Sequence, residues 1–308
     1  MGGHAKPLLL CVGDIDMDII VKVPRPPCRD QKVDGVRVAQ TPGGMAANVA
    51  VAASRLGTQT RMIGAVGDDA MGREALAALT LEGVDLAHVP TLEGVATFFC
   101  IILVDAQGEK ALVKALSPAY LPQPGDLTAV AFRNITHMHM TFTRPELALK
   151  AIAMARRAGA TISLDLEAAD VPEDGGQVRQ LVDSVDLLFI SEQSRAEAEH
   201  RIGPITVTDG RTVIMTRGSA GARVERGSHM LETTGHKVEL IDTSGAGDAF
   251  AGAFIHARLG GADDASALHF ANAAAALSTR AYGAQAGLAT SAEVKHFLEN
   301  QAKEGQIV

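Results

Sequence analysis

The sequence predicts an α/β protein built around a parallel β-sheet that helices cover on both faces. The first observation is a regular alternation of short apolar segments with helical segments between about residues 135 and 216. The second is the apolar run LLLCVG at 8–13, which ends in glycine and is typical of a strand buried on both faces. The third is composition, because 31 glycines, two tyrosines and no tryptophan in 308 residues suit a chain with many tight turns.

The first half of the chain begins with this strand and then departs from simple alternation. A helix is predicted at 45–56, where small apolar residues recur at helical spacing until Gly57. A strand at 60–66 and a helix at 70–82 follow. Two further strand pairs interrupt this order: two short exposed strands at 18–23 and 33–39, separated by PRPP, and a hairpin at 95–104 and 109–115, around DAQG.

The second half alternates regularly and then becomes helical. The predicted strands are ITHMHM, TISLDL, DLLFI and TVIMT, and the first three precede helices at 145–158, 175–182 and 192–200. A hairpin-like stretch at 221–240 and a strand KVELI at 237–241 come next. The last third carries helices at 245–258, 263–281 and 291–299.

Residues 1–308 are predicted to form a single domain. The sequence has no internal repeat, low-complexity linker or break in composition that would mark a boundary. The interrupting strand pairs, at about 14–41 and 94–116, are therefore expected to form a small β-sheet lid inserted in the α/β core.

Charge and cysteine content exclude several classes of protein. A formal net charge of −8 argues against a nucleic-acid partner, and no polybasic segment indicates a membrane surface. Three cysteines without a CxxC pair indicate neither a disulfide framework nor a zinc site, and a reducing cytoplasm is the expected location. The apolar run at 8–12 is too short for a signal peptide or a membrane span.

A glycine-rich segment at 242–252, DTSGAGDAFAG, carries the strongest chemical signal. Small residues at a helix N-terminus let backbone N–H groups approach an anion, and the helix dipole favours negative charge there. Asp248 in the first turn would face a substrate hydroxyl held in line with a phosphate. The simpler interpretation is a tight turn with an aspartate near a helix start. The spacing is not GxGxxG, and the chain contains no GxxxxGK[ST] loop.

Two separated motifs resemble those of the ribokinase-like (PfkB) carbohydrate kinases. One is Gly43-Gly44-Met45-Ala46-Ala47-Asn48 with the helix after it, and the other is DTSGAGDAFAGAF. Weaker similarity at GDIDMD, IGAVGDDAMG and TRGSAGA extends the resemblance from about residue 8 to 299. It implies a three-layer α/β/α core with a β-sheet lid, ATP and Mg²⁺ as cofactors, in some members K⁺, and a homodimer formed through the lid.

The resemblance assigns roles to individual residues. Asp248 matches the catalytic base, and the backbone of Gly245, Ala246 and Gly247 matches the anion hole. The positions matching the sugar site are Asp16, Asp18, Gly43, Gly44 and Asn48. The positions matching the ATP site are Thr216, Gly218 and Asn272. Asp242 and Thr243 match a monovalent-cation site, with the 279–287 loop opposite.

One stretch departs from the family pattern. Many members carry Asn-x-x-Glu after the strand at 186–190, where it supports metal and phosphate, whereas this chain has Ser191-Glu192-Gln193-Ser194. The segments SPAYLP and FISEQSRAEAE are more similar to the ketohexokinase and sulfofructose kinase branch. The metal ligands therefore stay unassigned.

Other polar residues admit both a functional and an ordinary interpretation. Asp14, Asp16 and Asp18 alternate and would share one face of an extended segment, where carboxylates could accept hydrogen bonds from sugar hydroxyls or simply end a strand in solvent. His137 and His139 are interpreted as core histidines, because no third metal ligand is evident. The cations that could bind an anionic substrate, or be plain surface charges, are Lys32, Lys114 and Arg144. Cys100 and Phe98–Phe99 are expected in the core of the lid or in a dimer interface.

The sequence thus predicts transfer of the γ-phosphate of ATP to a hydroxyl of a monosaccharide or sugar derivative. Asp248 would accept the proton, and the amides of 245–248 would stabilise the developing charge. A nucleoside kinase of the same fold and a non-catalytic sugar-sensing protein are the alternatives.

Overall fold

The computed structural model describes residues 6–107 and 109–304. Within these ranges the strands are β1 (Leu8–Val12), β2 (Asp16–Lys22), β3 (Val36–Gly43), β4 (Gln59–Ile63), β5 (Val66–Gly67), β6 (Thr91–Leu92), β7 (Phe99–Val104), β8 (Lys110–Ala115), β9 (His137–Met140), β10 (Thr161–Asp165), β11 (Leu187–Ser191), β12 (Thr212–Thr216), β13 (Ala222–Arg226) and β14 (His229–Thr233). The α-helices are α1 (Met45–Arg55), α2 (Ala70–Leu81), α3 (Pro145–Arg157), α4 (Gly176–Ser184), α5 (Glu192–Ile202), α6 (Ala246–Leu259), α7 (Asp264–Ser278) and α8 (Ser291–Glu304). None of these helices has the length and apolar character that crossing a membrane requires.

An eight-stranded sheet forms the middle layer, in the order β14-β13-β12-β11-β10-β9-β1-β4. The six strands from β12 to β4 run parallel, and β13 and β14 add an antiparallel hairpin at one edge. Because both faces of the parallel strands are covered, most of their residues are buried, as the apolar runs predicted.

Two hydrophobic cores lie on opposite faces of this sheet. One contains buried residues of α1, α2, α6, α7 and α8, including Phe250 and Phe254. The other contains buried residues of α3, α4 and α5. The predicted three-layer α/β/α architecture is confirmed.

A second, smaller sheet has the order β3-β2-β7-β8 and lies over one end of the first. Its strands fall at 16–22, 36–43, 99–104 and 110–115. Cross-strand neighbours on its inner face include Asp18, Cys100 and Lys114 in one row and Ile20, Ile102 and Leu112 in the next. This sheet is called the small sheet below.

Two local predictions are wrong. Residues 237–241, predicted as a strand, pair with no neighbouring strand, and Leu240 and Ile241 are exposed. The apolar residues of KVELI alone therefore do not make a strand, because a strand also needs a partner with which its backbone can pair. The segment at 18–23 is predicted to be exposed, yet Ile20 is buried because it packs in a small apolar cluster with Phe98, Cys100 and Ile102.

Candidate active site

A cavity of about 370 Å³ opens between the carboxyl ends of the parallel strands and the inner face of the small sheet. Parallel α/β sheets commonly bind ligands at this end of their strands. Asp165, Ser191 and Thr216, which end β10, β11 and β12, line it from below. Cys100 and Leu112 of the small sheet line it from above.

The turn before α6 brings backbone amides to one wall of this cavity. Gly245 has a φ of 69° and lies so close to the 283–285 loop that a Cβ there would be 2.6 Å from the Cβ of Ala284. Only glycine adopts this conformation without strain in so little space. The first amides of a helix have no partner within the helix, so the turn offers the N–H groups of Gly247 and Asp248 to an anion.

Asp248 lies in the first turn of α6, lines the cavity and is 7% exposed. Its Oδ2 accepts a hydrogen bond of 2.8 Å from the amide of Asn48, and Asn48 Oδ1 accepts one of 2.9 Å from Gln285. Burial raises the pKa of Asp248 well above its ordinary value, with the bond from Asn48 acting in the opposite direction. The carboxylate is thus a strengthened base with a fixed orientation.

The GGMAAN segment forms the adjoining wall, next to Asp248. Gly44 has a φ of 97°, and a Cβ there would be 2.6 Å from the carbonyl oxygen of Asp14. The Asp14 carboxylate accepts hydrogen bonds from the amides of Met45 and Ala46 at 3.1 and 3.2 Å. Asp14 therefore caps α1 and holds Asn48, one turn on, at the cavity.

Asp16 and Asp18 project from β2 toward Gly43, where a Cβ would be 2.4 Å from one carboxylate and 2.5 Å from the other. Asp18 lines the cavity, whereas Asp16 lies behind it beside Cys100. Asp16 Oδ1 is buried without a hydrogen-bond partner. Burial and the neighbouring carboxylates raise the pKa of Asp18 to about 6 and that of Asp16 well above its ordinary value.

A second group of carboxylates was not predicted from the sequence. Asp165 and Glu167 line the cavity, and burial followed by the charge of Glu167 raises the pKa of Asp165 to about 7. Lys114 also lines the cavity, with its Nζ 3.7 Å from Asp170 Oδ1. The position of Asp165 at the end of a parallel strand was the signal that could have revealed this group.

Two hydroxyls occupy the stretch where Asn-x-x-Glu was expected. Ser191 and Ser194 both line the cavity, while Glu192 does not. The Ser191 hydroxyl accepts a hydrogen bond of 3.0 Å from the Ser194 amide and so caps α5.

The residues matched to an ATP site are less closely grouped. Thr216 lines the cavity, whereas Gly218 lies beyond it, with a φ of 54° at the start of a 3₁₀ turn. Asn272 on α7 is buried and donates a hydrogen bond of 2.6 Å to the carbonyl of Thr234. This contact holds α7 to the segment after β14.

The residues matched to a monovalent-cation site lie beside the α6 turn. Asp242 joins this turn to the opposite loop by accepting a hydrogen bond of 2.9 Å from the Gly283 amide. Thr243 lines the cavity, and the ammonium group of Lys110 contacts both residues.

The remaining candidates lie elsewhere. His137 and His139 are buried and share the Ser163 hydroxyl as a partner at 2.7 Å, and burial lowers their pKa values to about 4 and about 3. Lys32 is exposed, and Arg144 donates to the carbonyl of Pro122 outside the cavity lining.

Comparisons with known proteins agree with this geometry. The family model for pfkB family carbohydrate kinases matches residues 6–291. An ATP-dependent ribose-1-phosphate kinase of Halopiger xanaduensis is 33% identical over 95% of this chain and 98% of its own. A Bacillus subtilis ribokinase is 30% identical over 94% of this chain and 99% of its own length. In fold, the chain is similar to an E. coli structure described as a ribokinase II in complex with ATP and Mg²⁺, with a TM-score of 0.82 and 23% identity. The match covers 96% of this chain and 100% of that one.

The fold and its site define a phosphotransferase that acts on an alcohol group. The chain belongs to the PfkB family of carbohydrate kinases. The prediction that the chain belongs to this family and the prediction that it is a kinase are both confirmed. The alternative of a sugar-sensing protein without catalysis is not supported.

Proposed function

We propose that this protein transfers the γ-phosphate of ATP to a hydroxyl of a neutral, unphosphorylated monosaccharide. The observation that carries the proposal is the buried Asp248 carboxylate, which faces the cavity at the N-terminus of α6 and accepts a hydrogen bond from Asn48. A sugar hydroxyl beside this carboxylate would lie next to the amides of the same turn. Base and phosphate site are then adjacent, as phosphoryl transfer requires.

Each wall of the cavity has a distinct part in this scheme. Asp248 accepts the proton from the attacking hydroxyl, and its raised pKa strengthens it as a base. The turn of Gly245, Ala246 and Gly247 presents the amides of Gly247 and Asp248, which stabilise negative charge on the transferred group. Asp18 and Asn48 bind the sugar hydroxyls, with Asp16 supporting Asp18, while Thr216 contacts the nucleotide.

The charges at the sugar end favour a neutral substrate. Among the charged side chains that line the cavity, five are carboxylates and one, Lys114, is a cation. A phosphate already present on the sugar would share the cavity with Asp14, Asp18 and Glu167, and only Lys114 would offset their charge. Carboxylates instead suit vicinal hydroxyls, since each can accept two hydrogen bonds.

Mg²⁺ fits the same cavity. Asp165 and Glu167 provide the oxygen ligands that Mg²⁺ prefers, and Ser191 and Ser194 stand where the family motif would support the metal. The ion would neutralise charge between nucleotide and carboxylates when bound. Asp165 and Glu167 are thus proposed to take over from the missing Asn-x-x-Glu side chains.

The outer face of the small sheet supports a homodimer through the lid. Val38 and Val113, which the alternation of side chains places on that face, are each more than 40% exposed. Val36 and Leu116, at strand ends of the same sheet, are also exposed. Such apolar surface on one sheet is typical of a protein interface. We further propose a cytoplasmic location, which suits three cysteines that are all free.

A coupled ADP-release assay tests the proposal. The panel contains ribose, fructose, glucose, ribose 1-phosphate and adenosine, each with ATP and Mg²⁺. We expect the highest kcat/KM for one of the unphosphorylated sugars. Ribose 1-phosphate as the preferred substrate would contradict the argument from charge and would assign Lys114 to the sugar phosphate.

A nucleoside kinase is the second candidate. Phe98, Phe189 and Phe250 line the cavity and could contact a base. Adenosine as the preferred substrate in the same panel would support this alternative.

A further inference from the structure

Asp242 is a buried carboxylate that connects two loops of the site. Its Oδ1 accepts a hydrogen bond of 2.9 Å from the Ser244 amide, and its Oδ2 accepts one of 2.9 Å from the Gly283 amide. The amides of Ile241 and Asp242 in turn donate to the carbonyl of Thr279 at 2.9 and 3.1 Å. Burial opposes ionisation of Asp242, but the bonds from Lys110 and the two amides hold its pKa below the ordinary value.

The cation that balances this carboxylate comes from the small sheet. Lys110, the first residue of β8, forms an ion pair with Asp242. Its Nζ also donates to Ser244 Oγ at 2.7 Å and lies 3.3 Å from Thr243 Oγ1. One carboxylate and two hydroxyls surround the ammonium group.

These oxygens do not fit a free monovalent cation in this arrangement. A K⁺ ion at Asp242 and Thr243 would need the carboxylate and hydroxyl oxygens that Lys110 already contacts. Its positive charge would also lie beside the ammonium group, and like charges in a partly buried site repel strongly. The lysine and the ion are therefore alternatives.

We propose that Lys110 replaces the monovalent cation and that its ammonium group holds the anion-hole turn in place. The inference rests on the proposed function, because it concerns the same phosphate-binding turn. It makes turnover independent of K⁺. It also means that the cation balancing Asp242 belongs to the small sheet. The turn is then held in place only while that sheet covers the cavity.

A series of contacts connects Asp242 to the proposed catalytic groups, so the balance of charge at Asp242 can affect their positions. Asp242 accepts a hydrogen bond from the amide of Gly283. The next residue, Ala284, packs against Gly245 of the anion-hole turn. Gln285, two residues beyond Gly283, donates to Asn48, which orients Asp248. Without a cation, Asp242 would be a buried and unbalanced charge in the centre of this arrangement, and such a charge destabilises its surroundings.

The position of Lys110 on β8 distinguishes the Lys110–Asp242 ion pair from an ordinary surface ion pair. Lys110 and Lys114 are four residues apart in one strand, so they project to the same face. Lys110 contacts the turn before α6, and Lys114 lies near Asp170 on the other side of the cavity. Strand β8 thus crosses the cavity with a lysine fixed at each side.

Kinetics of the wild type and of Lys110→Met, with KCl or choline chloride at constant ionic strength, test this inference. Lys22→Met is the matched control, because Lys22 is an exposed lysine in the same cross-strand row of the small sheet. We expect the wild type and the control to have the same kcat in both salts. We expect Lys110→Met to lose about tenfold or more in kcat in choline chloride and to recover much of it in KCl or NH₄Cl.

A substrate-free measurement keeps the test independent of the proposed function. Bound K⁺ should raise the melting temperature of Lys110→Met above its value in choline chloride by about 2 °C or more, with no such difference in the wild type. A wild type that needs K⁺ for activity would overturn the inference. So would a Lys110→Met variant with full activity in choline chloride, or one that K⁺ neither activates nor stabilises. If no sugar is phosphorylated but the melting temperatures differ as expected, the proposed function fails and the cation inference stands.

Discussion

The amide of Asn48 donates a hydrogen bond of 2.8 Å to Asp248 Oδ2, joining two residues 200 positions apart in the chain. Asn48 belongs to α1 and Asp248 to α6, and these helices pack side by side on one face of the main sheet. The two family motifs therefore meet in one hydrogen bond. That bond fixes the orientation of the carboxylate and opposes the effect of burial on its pKa.

Replacement of the proposed base should abolish turnover. Asp248→Asn keeps the size of the side chain but cannot accept the proton, so we expect kcat to fall by about 10²–10⁴-fold. Because the carboxylate is not assigned to nucleotide binding, the affinity for ATP, measured by calorimetry, should change little. Turnover close to that of the wild type would exclude Asp248 as the base.

Gln285→Leu should weaken the orientation of the base without touching it. The variant removes the donor to Asn48 Oδ1, so the Asn48 amide can turn away from Asp248. Since the Asn48 bond lowers the pKa of Asp248, its loss should raise that pKa further. We expect the acidic limb of the kcat/KM profile to move to higher pH and kcat to fall about tenfold. A reduced kcat with an unmoved acidic limb would indicate a purely structural role for Gln285.

Asp165→Asn should stabilise the free protein at high pH. The pKa of Asp165 in the folded state is raised to about 7, so the protonated form favours folding, and this contribution is lost as the pH rises from about 4 to about 7. An asparagine avoids that loss. We therefore expect the variant to gain on the order of 1 kcal/mol in unfolding free energy at pH 8 and none at pH 4, measured by urea denaturation. An equal change at both pH values would contradict this explanation.

Gly245→Ala and Gly247→Ala form a matched pair in the same turn. Gly245 has a φ of 69° and its added Cβ would meet Ala284 at 2.6 Å, whereas a Cβ at Gly247 has open space. We expect Gly245→Ala to lose about 2 kcal/mol or more in unfolding free energy. Gly247→Ala should be neutral or slightly stabilising, because it lies within a helix. Equal losses in the two variants would refute the steric argument.

The sequence predicted the parts of the site that depend on nearby residues. The motif around Asp248 needs only a glycine at positive φ and a helix start, both of which are visible locally. The alternation of Asp14, Asp16 and Asp18 and the helix of Asn48 were likewise predicted from the local pattern. The strand predicted at 237–241 was wrong because pairing depends on a partner that the segment itself does not specify.

The groups that sequence reasoning missed are those whose partners are distant in the chain. Gln285 contacts Asn48 across 237 positions, and Lys110 contacts Asp242 across 132. Neither side chain belongs to a motif, and either would suit a solvent-exposed surface. Asp165 ends a parallel strand, which is a local signal, but only the cavity shows that Asp165 and Glu167 share a site with Asp248.

The sequence by itself determined the α/β architecture, the kinase family and the turn that carries Asp248, because strand and helix periodicity and glycine conformation are local properties. The tertiary structure decided which charges surround that turn. Burial raises the pKa of Asp248, whereas at Asp242 the effect of burial is outweighed by hydrogen bonds from Lys110 and two backbone amides, which lower the pKa. Packing of the small sheet places Lys110 at Asp242, and all of these effects depend on what folding brings within a few ångströms.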